Sequence, residues 1–249
     1  MSLRRSVMAA LAILLVLGAV VALAVMRRPA VAAGAAAGAA AGINPGDFTN
    51  PVANPYFPLK VGTVSHYHGS DGGKRFREKV TITHWTKKIQ GVRNTVVLDV
   101  LRRADDGTLA EKTWDWYADD NVGDVWYFGE QTATYTRQGR VSSREGSWQA
   151  GVRGAVAGTI MPANPHPTDA YRQEFFAGHA EDQAWIVQRF AHVTVPYRHL
   201  DHVVRSFEWT RLEANVLSVK FYGRGLGIVF ERDVAGGSEL FRLVSVTHV

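Results

Sequence analysis

From Val61 onward, the residues of this chain alternate with a period of two. Val64, His66 and His68 would share one face of a strand, and Val80, Ile82 and His84 a face of another. Trp114 and Trp116 alternate with Asp115, and Leu217, Val219 and Phe221 alternate with Ser218 and Lys220. Successive side chains of a β-strand point to opposite sides, so this spacing is strand spacing and excludes a helical body. Turn signals fall between the alternating runs: Asp71-Gly72-Gly73, Asp105-Asp106-Gly107, Gly123-Asp124, Gln138-Gly139 and Gly236-Gly237. Such dipeptides and tripeptides are what antiparallel hairpins require. The pattern predicts strands over 62–69, 75–86, 94–103, 108–118, 124–129, 132–137, 140–145, 170–176, 202–211, 215–222, 226–233 and 238–248, a mainly antiparallel β chain.

Two stretches depart from the alternation. Ser147 to Thr168 holds three Gly and three Pro and reads as one long loop, of the kind that is often functional. Gly178 to Arg189 places Ala180, Ala184 and Val187 at helical spacing and is the expected short helix, although Trp185-Ile186-Val187 also suits a strand.

Ahead of the β region, Val7 to Met26 is an unbroken apolar run of twenty residues, flanked by Arg4-Arg5 and Arg27-Arg28. As a helix it spans roughly 30 Å, the thickness of a bilayer's hydrocarbon core. Its length fits an uncleaved anchor, and Ala30-Val31-Ala32 fits a signal-peptidase site, so two outcomes stand: a membrane-anchored or a secreted domain. Both are extracytoplasmic, and the first makes the membrane a partner. The expected division is a leader at 1–31, an Ala/Gly/Pro-rich linker at 32–55 and one β domain at 56–249.

Composition removes several function classes. The absence of cysteine excludes disulfides, thiolate catalysis and Cys-ligated zinc. Of 28 Lys and Arg, four flank the apolar run; all 23 acids lie after residue 44, so the remainder carries 24 minus 23, or +1. That balance gives no footprint for nucleic acid. No G-x-S-x-G, S-x-x-K, P-loop or H-E-x-x-H occurs, and no cofactor is expected.

Three constellations are candidates for chemistry. Trp114, Trp116, Trp126 and Phe128, with Tyr117, Tyr127 and Tyr135, lie on consecutive strands and could line an apolar pocket, with Trp148, Tyr171 and Arg172 completing it. Core filling is the commoner use of such aromatics. His66 and His68 sit two apart on a strand, near enough for both to grip one transition metal if a third ligand arrives; His199-x-x-His202 with Asp201 is a similar fragment. Arg172 and Glu174 share a strand face, and Glu208 on a later strand could make a paired-carboxylate acid and base with Glu174. Glu181-Asp182 at the expected helix start reads as a dipole-stabilising pair.

Several phrases also occur together elsewhere. Tyr56-Phe57-Pro58-Leu59 followed by Gly62-Thr63, Asp115-Trp116-Tyr117-Ala118, Val125 through Glu130, Gly146-Ser147-Trp148-Gln149-Ala150-Gly151-Val152 and Tyr171-Arg172-Gln173-Glu174 resemble the motifs of an uncharacterised family of exported bacterial proteins. More distantly, the opening strand and Gly223-Arg224-Gly225-Leu226-Gly227 are similar to half-barrel sheets of the lipoprotein-carrier kind. The resemblance implies a strongly curved antiparallel sheet, a half-barrel or open barrel, that cradles an apolar ligand or partner segment. The family's turn after the Asp-Trp-Tyr-Ala strand is replaced here by Asp119-Asp120-Asn121-Val122-Gly123-Asp124, so a cation at that turn does not carry over. The expected function is non-enzymatic binding of an apolar or amphipathic ligand or an envelope protein, at a site formed by the curved sheet and the 147–168 loop. The alternatives are a hydrolase on an envelope glycan or ester, using Glu174 and Glu208 or a metal on His66 and His68, and a structural envelope module.

Overall fold

The computed structural model describes residues 42–249. The apolar run at 7–26, the leader at 1–31 and most of the Ala/Gly tract lie outside the described residues. Among the described residues, no helix is long and apolar enough to cross a membrane.

Fifteen strands form one antiparallel sheet. They are β1 (Thr63–Asp71), β2 (Lys74–Ile89), β3 (Val92–Arg103), β4 (Leu109–Asp119), β5 (Val125–Tyr135), β6 (Val141–Ser143), β7 (Trp148–Gln149), β8 (Val156–Met161), β9 (Ala170–Arg172), β10 (Glu174–Phe175), β11 (Asp182–Val195), β12 (Arg198–Thr210), β13 (Leu217–Gly223), β14 (Gly227–Ala235) and β15 (Leu240–His248). The path across the sheet runs β10-β8-β5-β4-β3-β2-β1-β15-β14-β13-β12-β11-β9, with β6 and β7 also on β5. Its two ends, β9 and β10, are separated in sequence only by Gln173. The chain therefore changes partner at one residue: Arg172 pairs Gln183 of β11, and Glu174 pairs Ala157 of β8. Gln173 stitches the seam, its N–H donating to the Asp182 carbonyl at 2.8 Å. The sheet is thereby bent into a nearly closed barrel.

The seam needs Gly158. A Cβ there would lie 2.5 Å from the carbonyl oxygens of both Arg172 and Gln173. Gly158→Ala is expected to push the closing segment away and destabilise the fold by about 1–3 kcal/mol, the usual cost of overpacking, read by urea denaturation.

Register fixes what faces the lumen. Ser65, Val80, Asp99, Thr113 and Thr132 form one cross-strand row, and Ile82, Val97, Asp115, Glu130 and Trp148 another. Directly opposed residues share a face. Two apolar clusters pack the domain, one around Tyr117, Tyr127 and Ile160 that extends outward under Phe48, the other around Tyr67, Phe76, Leu101 and Phe241.

Three expectations are corrected. The stretch 178–189 is not a helix: Asp182–Val195 is β11, paired with β12 from Asp182 to Val195 across several bulges. Helical spacing would bury only Ala180, Ala184 and Val187, whereas period two buries Ala184 and Ile186 and gives the backbone ladder partners on β12. Residues 147–168 are not one loop but contain β7 and β8, both on β5. The separate strands expected at 124–129 and 132–137 are a single β5.

The stretch up to residue 55, expected as linker, is packed against the barrel over its described part. Pro45–Phe48 forms a 3-10 turn capped by Asn44, whose side chain accepts from the Gly46 N–H. Phe48 lies against Trp126 and Phe128. Asn54, 1% exposed, donates to the carbonyls of Gly123, Met161 and Pro162 and accepts from the N–H groups of Tyr56 and Phe57. This side chain fixes where Phe57 and Pro58 sit.

Candidate functional site

Phe57 and Pro58 close one side of a cavity of about 80 Å³ whose other wall is Leu226, Gly227 and Ile228 of the β13–β14 hairpin. The two walls are tied by the Gly225 N–H donating to the Pro55 carbonyl at 2.7 Å. Between them the sheet contributes Thr63, Ser65, Tyr67, Val80, Ile82, Val97, Tyr117 and Phe241, and four acids: Glu78, Asp99, Asp115 and Glu231. Those acids are all buried, at 1–7% exposure, while Phe57, Pro58, Leu226, Gly227 and Ile228 are partly exposed and mark the open side. Carboxyls thus floor the cavity beneath an apolar mouth. At about 30 Å³ for each water, the volume holds roughly two or three water molecules, enough for one end of a ligand.

The acids continue beyond the cavity wall. Asp115 accepts from the Tyr127 hydroxyl at 3.2 Å, and Tyr127 stacks on Tyr117 and meets Trp148 edge-on. Glu130, opposite Asp115 on the next strand, has its carboxyl pushed well above its ordinary range by burial and then by the charges of Asp115 and Glu174. Glu174 is raised likewise, by burial and then by Asp182, an effect partly offset by the Trp148 indole. Burial, with Asp115 and Glu130 nearby, raises the Tyr117 and Tyr127 hydroxyls.

The Lys220 ammonium lies among these buried carboxyls, beside the cavity-lining Glu231. Lys220 contacts Glu208 at 3.0 Å and Glu231 at 3.2 Å. Burial pulls the Lys220 ammonium down, but the two carboxylates more than reverse this and hold it charged above its ordinary range. Glu208 also accepts from Tyr222 at 2.6 Å, Ser206 at 2.7 Å and Gln173 at 3.2 Å. Gln173 therefore joins the seam to the ion cluster.

The expected site residues fall elsewhere. Trp114 and Trp116 alternate with Asp115 and Tyr117, and it is the latter pair that lines the cavity. Trp114 lies outside against Trp85, at 5.2 Å between rings, with the Lys112 ammonium over it. Trp116 lies under Lys87, 3.2 Å from the ring centre. Trp126 and Phe128 are covered by Phe48, and the Trp126 indole donates to Asp120. Trp148 alone of the expected tryptophans faces the lumen, opposite Glu130 and outside the cavity lining. Tyr171 is half-buried, and Arg172 is exposed over the Phe175 ring at 4.3 Å.

Glu174 and Arg172 do not share a face, because the partner change at Gln173 buries one and exposes the other. Glu174 and Glu208 are both lumen groups, Glu208 engaged by its four partners. His66 and His68 point outward, and among the described residues no group of three His, Asp or Glu side chains is placed to hold a metal. His199 contacts Asp201 at 3.3 Å and Thr194 at 2.7 Å. In the 119–124 turn, Asp120 is occupied by the N–H groups of Val122, Gly123 and Asp124.

Fold and cavity together define a nearly closed antiparallel β-barrel with a carboxyl-rich lumen and an apolar mouth. No protein-family model matches the chain, and no curated protein sequence matches it. Among solved structures, it is similar to a Bacteroides fragilis protein provisionally described as exported and YmcC-like in fold, at 11% identity and a TM-score of 0.46, covering 78% of this chain and 99% of that one. It is also similar to a Parabacteroides distasonis protein provisionally described as a lipoprotein, at 11% identity and a TM-score of 0.44, covering 79% and 100%.

Proposed function

We propose that this chain is an exported, non-enzymatic binding domain that takes up one end of a small amphipathic molecule bearing a cationic or hydrogen-bond-donating head. Export rests on the apolar run at 7–26. The observation that carries the binding reading is the cavity itself: partly exposed apolar walls above Glu78, Asp99, Asp115 and Glu231. Apolar walls favour an alkyl or aromatic body by removing it from water, and the carboxyls orient a donor or positive head. The hydrolase reading is weaker, since Glu208 is engaged on four sides and Glu174 is 1% exposed on the closing strand.

The test uses the purified full chain with a panel of alkylamines, alkanols and alkanoates of equal length, followed by native mass spectrometry and tryptophan fluorescence. Amines are expected to bind best and alkanoates worst. Leu226→Trp, which narrows the mouth without touching an acid, is expected to weaken binding by about tenfold, equivalent to ~1.4 kcal/mol. Absence of binding across the panel, or equal binding of alkanoates and amines, defeats the reading.

A further inference from the structure

Alternation sorts charge radially in this barrel, and the near-neutral total conceals it. On β1–β4, β14 and β15 the acids Asp71, Glu78, Asp99, Glu111, Asp115 and Glu231 stand on the lumen-facing parity. The opposite parity carries Arg75, Arg77, Lys79, Arg102, Lys112, Arg232 and Arg242, with His66 and His68 among them. Arg242, His68, Arg77 and Arg102 form one cross-strand row, and His66, Lys79, Val100 and Lys112 the next. All these arginines and Lys79 are exposed. Two shallow grooves run over this face, one along His68, Arg75, Arg77 and Arg242, the other along His66, Lys79, Leu98 and Arg102. At the patch edge, beside Lys112, Trp85 is 49% exposed against Trp114.

We infer that this outer face of β14–β15–β1–β2–β3–β4 docks on an anionic lipid bilayer. Clustered Lys and Arg are drawn to an anionic leaflet within a Debye length, and tryptophan favours the headgroup level. If the run at 7–26 spans a membrane, residues 27–41 are the whole tether, fifteen residues that reach at most about 50 Å fully extended. A soluble polyanion would match the charge but not the exposed tryptophan or the tether.

The absence of native cysteine allows a single nitroxide at Thr81→Cys, on the outward row beside Leu98. Full chain is reconstituted in vesicles of purely zwitterionic lipid or with about one third phosphatidylglycerol, and the label's accessibility to a water-soluble paramagnetic relaxant is measured. Anionic vesicles are expected to lower accessibility several-fold, with recovery at high salt and in the triple variant Arg77→Glu/Lys79→Glu/Arg102→Glu. Near-UV circular dichroism confirms that the variant folds, its substitutions being on exposed side chains. A label at Arg140→Cys, in the β5–β6 turn, reports on non-specific crowding and should not change. Equal accessibility in both vesicle types overturns the inference, as does protection by soluble heparin without protection by anionic vesicles. Neither result bears on the cavity, whose binding of amines is read separately.

Discussion

Lys220→Met is expected to lower stability by about 3–5 kcal/mol, the range for removing one member of a buried ion pair. For a domain of this size that is a drop in melting temperature of roughly 6–20 °C. The ammonium is enclosed by Glu208 and Glu231, and its removal leaves two carboxylates facing each other across a space that water does not reach. The loss comes from the stranded charges more than from the missing attraction. The triple variant Lys220→Met/Glu208→Gln/Glu231→Gln should therefore recover most of it, because an amide oxygen at position 208 still accepts from Tyr222 and Ser206. Urea denaturation of native, single and triple variants decides the matter. A single variant within about 1 kcal/mol of the native chain would mean that the ion cluster is not structural.

Stability is expected to fall as pH rises above about 5, the reverse of ordinary acid denaturation. Burial, then Asp115, raises Glu130 in the folded chain; burial, then Asp182, raises Glu174. The unfolded chain then releases these protons from pH 4.5 upward, while the folded chain keeps them. With fewer protons bound when unfolded, the slope of stability against pH is negative, by at most about 1.4 kcal/mol per pH unit for each group. Asp119, pushed up to about 6 by burial, acts with the same sign between 3.8 and about 6. Lys220 does not oppose this, since a raised cation contributes fully below 10.5. Glu130→Gln should match the native chain near pH 4.5 and exceed it increasingly toward pH 8, as read by denaturant midpoints across that range. A gap that closes as pH rises would contradict the assignment of Glu130 as a neutral lumen group.

The strands were legible because alternation survives translation into structure: β1 to β4 and β12 to β15 lie close to the runs read from residues 62–118 and 202–248. The seam was not legible. Nothing in Tyr171-Arg172-Gln173-Glu174 marks Gln173 as the residue where the chain changes partner, because the mark is the position of β8 and β11, which lie outside that tetrapeptide. The face taken by the tryptophans was not legible either, for a physical reason. Trp116 is more apolar than Asp115, so burial alone assigns Trp116 to the lumen, yet Lys87 and the 43–48 segment give the tryptophans cover on the outside. A usable signal was present: Phe76, Glu78, Val80 and Ile82 share one parity, and an acid held in phase with large apolar residues marks a polar lumen. The charge total misled in the same way, since +1 averages an acidic inside and a basic outside.

The girdle of this barrel is fastened by its shortest links. Three pairings of β9 with β11 and two of β10 with β8 close a circumference otherwise held by ladders of up to eleven. Thermal loosening will therefore begin at the buckle, beside Gln173, whose release also slackens its grip on Glu208. The bore is thus held at its narrowest stitch by five backbone pairings, and any widening of it is expected to start there.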